Sequence, residues 1–292
     1  MQAILQHLRL PFSLLLFPVF LMALYAADWP QPFPWFQVIL LGVVLHLFIY
    51  PSSNAYNSLQ DCDTGSIGLV KHPKKAPQSL FLITIVLDVF ALAVSCVFLP
   101  VDVTMGLLIY VFASRLYSWR KIRIKKYPIA GFLVVFVCQG ALVFFLTGRL
   151  LEPHPSLLLC ISSSALIGAI YPLSQIYQHA QDRADGVTSI SMLLGYKGTF
   201  LFSAALFILG TLCFSFHFMA IHPPSILLFS ICLFPSTVYF LLWTWDVWKS
   251  DTEATYQRSM RMSILSALGM NLCFVVLIMM RFSGVLDSVY EF

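Results

Sequence analysis

Asn54, Asn57 and Asp61 stand at offsets of 0, 3 and 7, the spacing of one helix face. Asp63, Gly65 and Gly68 follow, and then Lys71, Lys74 and Lys75. Amides and carboxylates backed by lysines, at the end of an apolar stretch, suit the joint binding of Mg2+ and a diphosphate. Magnesium takes oxygen ligands, keeps several waters, and is held by one or two carboxylates plus substrate phosphates. A second stretch repeats the arrangement: Gln175, Gln178 and Asp182 have the same offsets, and Asp185 adds an acid about one turn on. Ordinary helix-end polarity accounts for one such ladder; two on one membrane face point to a shared site. Asp61, Asp63, Asp182 and Asp185 are the expected metal ligands, with Asp61, Asp182 and Asp185 catalytic. Two such clusters could hold two ions that carry away charge as a carbon–oxygen bond breaks. Asn54, Asn57, Gln175 and Gln178 complete the polar shell, since amides hydrogen-bond metal-bound water or phosphate oxygens. Cations would stabilise the leaving group. The most basic loop runs from Arg115 to Lys126. Arg123 and Lys125 are the expected diphosphate contacts, with Lys71 behind them; membrane orientation alone is the competing reading of these residues.

These side chains must be positioned by membrane helices. The 292 residues are 59% hydrophobic and only 10% charged, against roughly 25% charged in globular proteins. No stretch resembles a soluble domain, and one membrane domain over residues 1–292 is the simplest count. Spans of roughly 20 apolar residues are expected at about 11–27, 35–53, 79–99, 103–118, 128–147, 156–176, 199–219, 225–246 and 262–281. The start reads as the first of these helices rather than a removed signal, because no small-residue cleavage site follows its apolar run. Nine spans put the termini on opposite sides. Fifteen of the 17 Lys and Arg then fall on the N-terminal side, and only Arg149 and Arg281 on the other. That asymmetry marks the first side, and both ladders, as cytoplasmic. The net charge of +4 therefore says little for nucleic acid as a partner; orientation in the membrane accounts for the basic loops, some of which could also bind anionic headgroups or an anionic substrate. Six of the seven cysteines lie in apolar segments without paired spacing and read as small core residues, neither disulfides nor a zinc site.

At these residues the chain resembles the UbiA superfamily of intramembrane prenyltransferases. That family's first motif is roughly N-D-x-x-D-x-x-x-D; Asn57 and Asp61 match it, while Ser58 and Gly65 replace two acids and Asp63 stands where it could supply one. The second motif is roughly D-x-x-x-D-x-x-x-G-x-x-T-L. Asp182, Gly186, Ser189 and Ile190 fill it, Gln178 replaces the leading acid, and Gly195 fits the Leu-Gly that commonly follows. Tyr117-Ser118 with Arg123-Ile124-Lys125 is similar to the family's Tyr-Ser…Arg-Leu-Lys element. The resemblance spans the chain. It implies an all-α bundle of nine transmembrane helices, Mg2+ as cofactor, and a prenyl diphosphate and a lipophilic, aromatic acceptor as partners in isoprenoid biosynthesis. A bacterial inner membrane is the expected location. Near the motifs, Tyr56, Tyr117, Tyr171 and Tyr177 are candidates for facing substrate, with Tyr117 and Tyr171 named as substrate-binding; aromatic faces stabilise an allylic cation.

Three polar residues fall mid-span. Asp88 either serves an acceptor or pairs across helices, and Gln139 and Asn271 read as interhelical hydrogen bonders. A transporter is the alternative from another class, but its acids would sit near the midplane rather than at one edge beside lysines. A CDP-alcohol phosphotransferase would continue Asp-Gly into Ala-Arg, whereas Asp185-Gly186 is followed by Val187, Thr188 and Ser189. A terpene cyclase of the same superfamily, which quenches its cation without an acceptor, also stays open.

Overall fold

A computed structural model describes residues 1–62 and 65–284. Among these, nine helices are long and apolar enough to cross a membrane: α1 (Gln2–Ala26), α2 (Trp35–Asp61), α3 (Ser79–Phe98), α4 (Val101–Ser118), α5 (Pro128–Arg149), α6 (Leu157–Gln175), α7 (Ile190–Ile221), α8 (Pro223–Lys249) and α9 (Tyr256–Phe282). The described residues form no strand, only an isolated bridge between Ile67 and Val70. The all-α expectation holds, and the nine helices coincide with the nine expected spans. Several run past the apolar core: α2 continues as helix through Asn54 and Asn57 to Asp61, and α7 starts nine residues before its expected position.

Each irregularity in these helices has a local cause. α1 breaks at Arg9, which adopts the left-handed region at φ 48°, two residues before Pro11. The segment Leu10–Leu15 then continues as a tighter 3₁₀ turn. In α2 a π turn covers Val44–Ile49 and ends two residues before Pro51. Proline has no N–H to give the preceding turn, and the wider π turn accommodates that loss. A second π turn, Phe136–Leu142, lies in α5. There Ala141 N–H donates to Ser164 Oγ of α6 at 2.8 Å. Gly140 lies so close to α6 that a Cβ would stand 2.3 Å from Ser164 Cα. Near its start α7 breaks at Gly195, whose φ of 68° and ψ of 177° suit glycine alone.

The core is mainly apolar, with Met22, Leu41, Phe214 and Phe274 fully buried, and is interspersed with buried serines and threonines. One charged cluster lies inside it. Arg115 of α4 pairs with Asp88 of α3, its Nε 2.9 Å from the carboxylate. The guanidinium also donates to Ser52 Oγ and to Thr84 Oγ1, both at 3.1 Å, and stacks on Tyr56 at 4.1 Å. Asp88 is thus a cross-helix partner that ties α2, α3 and α4 together, and Tyr56 belongs to this clamp. Asn271 donates to Leu14 O at 3.1 Å, joining α9 to α1.

Removing one member of a buried pair leaves the other charge uncompensated, at a cost of about 3–5 kcal/mol. Asp88→Ala should therefore lower the stability of the purified protein by about that much. Asp88→Leu combined with Arg115→Leu should recover most of the loss, as read by thermal unfolding in detergent. A double variant no more stable than the single one contradicts the clamp.

Candidate active site

The loop between α4 and α5 is the hub of the polar end. Arg120 N–H donates to Gln60 Oε1 at 3.1 Å, which pins the loop to the end of α2. Arg123 is in the left-handed region at φ 51° and is 7% exposed. Its Nη2 lies 3.1 Å from Asp61 Oδ1 and also hydrogen-bonds Asp185 Oδ2. One nitrogen therefore joins an acid at the end of α2 to an acid between α6 and α7. Lys125 Nζ pairs with the other oxygen of Asp61 and lies 3.4 Å from Asn57 Oδ1. Asn57 Oδ1 also accepts from Ser118 Oγ at 2.9 Å. Arg120 reaches Asp185 at 3.4 Å.

This charge balance sets the protonation states. Burial pushes the Asp185 carboxyl up, but the Arg123 hydrogen bond and charge, with Arg120 and Lys125 behind them, outweigh it and hold the carboxyl below the usual range. Burial disfavours the charged form of Arg123, but Asp185 and Asp61 together raise its pKa further.

A cavity of about 210 Å3 opens beside these ion pairs. Asn54, Asn57 and Asp61 line it from α2, and Gln175, Gln178, Asp182 and Asp185 from the opposite side; Lys125, Tyr117, Tyr171 and Tyr177 line it as well. The first ladder is a continuous helix face, as its spacing predicts. The second is not: α6 ends at Gln175, and Gln178 precedes a separate short helix, His179–Ala184. Its three residues reach the same cavity through a bend rather than along one face. The short helix is held by His179, whose Nε2 lies 2.8 Å from Ser191 Oγ.

Other predicted residues lie elsewhere. Lys71 is exposed and does not line the cavity, and Asp63 falls outside the described residues. Arg123 stands behind Asp61 and Asp185 rather than in the cavity wall. Ser58 is fully buried away from the cavity. A Cβ at Gly65 would meet Gln181 Oε1 at 2.5 Å, so an amide fills the space beside the position where the resembled motif has its last acid.

Among the lining residues not singled out from the sequence are Arg9 and Gln181. Arg9 lines the cavity from the break in α1 and donates to Asn54 O at 3.0 Å. Pro11 was the available signal, because a proline interrupts a helix. Gln181 also lines the cavity, and nothing in its spacing marks it.

Magnesium can be tested against these donors. No group of three His, Cys, Asp or Glu among the described residues is assembled for a metal. Yet Mg2+ needs only one or two carboxylates beside phosphate and water, and Asp61 and Asp185 already converge on one cationic nitrogen. With Asp182 in the same cavity wall, the donor set fits.

The sequence matches the UbiA prenyltransferase family over residues 15–266. No curated protein matches it. Among solved structures, the fold is similar to a UbiA homologue from Archaeoglobus fulgidus bound to GPP and Mg2+, with a TM-score of 0.69 at 16% identity, covering 94% of this chain and 99% of that one. A UbiA homologue from Aeropyrum pernix K1 aligns with a TM-score of 0.62 at 16% identity, covering 90% and 98%. A digeranylgeranylglyceryl phosphate synthase aligns with a TM-score of 0.61 at 16% identity, covering 95% and 97%.

The lowered Asp185 pKa gives a signed prediction. A carboxyl depressed on folding stabilises the protein above its ordinary value, about 3.9, and that contribution is lost as pH falls through the lowered value. The melting-temperature gap between wild type and Asp185→Asn should be constant from pH 5 to pH 8 and shrink only below about pH 4. A gap that closes between pH 7 and pH 5 contradicts it.

Proposed function

The chain belongs to the UbiA prenyltransferase family, and on that premise we propose that it moves an isoprenyl group from a prenyl diphosphate to a lipophilic aromatic acceptor. It is an integral-membrane transferase of prenyl groups. The observation that carries the substrate reading is the Arg123 nitrogen shared by Asp61 and Asp185 beside one polar cavity. A diphosphate needs cations, and these are cations already gathered against acids that a metal can take over. Similarity to a homologue bound to GPP and Mg2+ supports the same reading.

In this proposal Asp61, Asp182 and Asp185 would hold Mg2+, together with Asp63. Bound Mg2+ supplies neutralisation of the charge that develops on the leaving diphosphate. With a metal held by the acids, Lys125 would meet the diphosphate oxygens, with Arg9 on the α1 side and Arg123 behind Asp61 and Asp185. Asn54 Nδ2, buried without a partner, donates to a phosphate oxygen; Asn57, Gln175 and Gln178 complete the shell. The allylic C–O bond breaks and its electron pair leaves with the diphosphate. Tyr117 and Tyr171 line the cavity, and in this proposal their ring faces stabilise the cation. The acceptor's electron pair closes the new bond to the allylic carbon, and its proton passes to the released diphosphate. The proposed location is a bacterial inner membrane with the site on the cytoplasmic side, supported by 15 of 17 basic residues falling on that side.

Asp61→Ala and Asp182→Ala should each reduce Mg2+-dependent diphosphate release from a prenyl diphosphate by at least about 100-fold, with the protein still inserted in membranes. Arg9→Ala should weaken prenyl diphosphate binding by roughly tenfold or more. Mass analysis of lipid extracts identifies the product. Wild-type turnover in both Asp variants rejects the site, and a cyclic hydrocarbon in place of a prenylated ring rejects the acceptor.

A further inference from the structure

The polar cavity has two apolar corners. The first continues into a separate cavity of about 90 Å3 between α1, α6 and α9, past Leu16, Val19, Ile170 and Met270. Phe12, Gln139, Tyr171 and Ser174 line both cavities, so the two are contiguous. That narrow course suits a linear tail. The second corner is part of the main cavity, walled by Tyr110 of α4 and by Val134, Val135 and Cys138 of α5. A compact ring suits it.

Gln175, at the end of α6, faces the main cavity. Its Nε2 donates to Tyr171 Oη at 2.9 Å, and Tyr171 Oη lies 2.6 Å from Tyr117 Oη. This bond fixes the amide plane. The other end, Oε1, is buried and has no hydrogen-bond partner. A tethered, buried acceptor of this kind is costly unless something donates to it. A diphosphate cannot, because its oxygens are acceptors; it matches Asn54 Nδ2, the buried donor without a partner on the opposite helix. The two lone atoms therefore call for two different ligand groups.

We infer that the corner between α4, α5 and α6 is the acceptor subsite and that Gln175 Oε1 receives a hydrogen bond from a hydroxyl group carried by the acceptor. A neutral hydroxyl is far easier to desolvate beside Val134 and Val135 than an ammonium group. Accepting its hydrogen bond leaves electron density in the ring that attacks the allylic cation. Gln175 is thus a specificity determinant for the transfer reaction, and the assignment rests on the prenyl-transfer reading.

The test is direct binding to the purified full-length protein in detergent, followed by quenching of tryptophan fluorescence. The probes are 1-naphthol, which carries the donor, and 1-methoxynaphthalene, which does not. Wild type should prefer the naphthol over the ether by about 5- to 150-fold more than Gln175→Met does, the range set by one unmatched buried polar group. Gln175→Glu, which keeps an acceptor oxygen, should retain much of the preference. Equal preference in wild type and Gln175→Met, or no binding of either ring, overturns the inference. If Gln175→Met does not accumulate, the wild-type pair decides: equal affinity for the two rings overturns it. Diphosphate release is measured separately. Its absence with the naphthol preference intact removes the chemistry and leaves the subsite; the reverse removes the subsite alone.

Discussion

Carboxylates at the edge of an apolar bundle are tolerated only when cations meet them, and the polar end of this protein is built around that requirement. Arg123 satisfies Asp61 and Asp185 with a single nitrogen, and Lys125 takes the second oxygen of Asp61. The acids come from segments more than a hundred residues apart, and the cations come from a third. The ion pairs thereby fix α2, the α4–α5 loop and the α6–α7 segment against one another. The surrounding backbone is shaped to permit this. Arg123 and Arg9 both adopt left-handed conformations, which cost a non-glycine residue about 1–2 kcal/mol each. Cys62, also left-handed, ends α2 just past Asp61.

The rest of the shell is neutral. Asn54, Asn57, Gln175, Gln178 and Gln181 all line the cavity, and each offers a donor and an acceptor without demanding a counter-charge. Arg120, Arg123 and Lys125 pair with Asp61 and Asp185, and Arg9 lines the same chamber. The amide at Gln181, crowding the Cβ position of Gly65, shows in space what substitution in the sequence shows in pattern. Charge has been removed from this chamber, but polarity has been kept.

Much of this was legible from residue order. Long apolar runs must be helical in lipid, because no solvent there satisfies a free peptide group, so the nine spans follow from hydropathy. The ladder on α2 was legible because the helix outlasts its apolar segment. Its counterpart after α6 was recognised by the same offsets for the wrong geometric reason, since the backbone bends between Gln175 and the short helix that starts at His179. Offsets measure a helix face only while the helix continues. Lys71 and Arg9 could not be told apart by local pattern: both are cations near the same membrane edge, and only the packing of α1 against α2 brings one of them into the chamber. Asp88 was legible as anomalous but not as the partner of Arg115, because pairing across helices leaves no periodic trace.

The π turn in α5 has a consequence for the lineage of this helix. A π turn holds one residue more than the α-helical turns on either side of it, so α5 reads as an ordinary helix carrying a single inserted residue. Excising one position within Phe136–Leu142 would rewind that turn as ordinary α-helix and leave its two flanks nearly in phase, because the wide turn absorbs the extra residue. Within the turn itself, Gly140 packs on Ser164 while Cys138 and Gln139 line the chamber. The surplus residue is thus taken up inside the turn, where one position packs tightly on α6 and its predecessors furnish a wall.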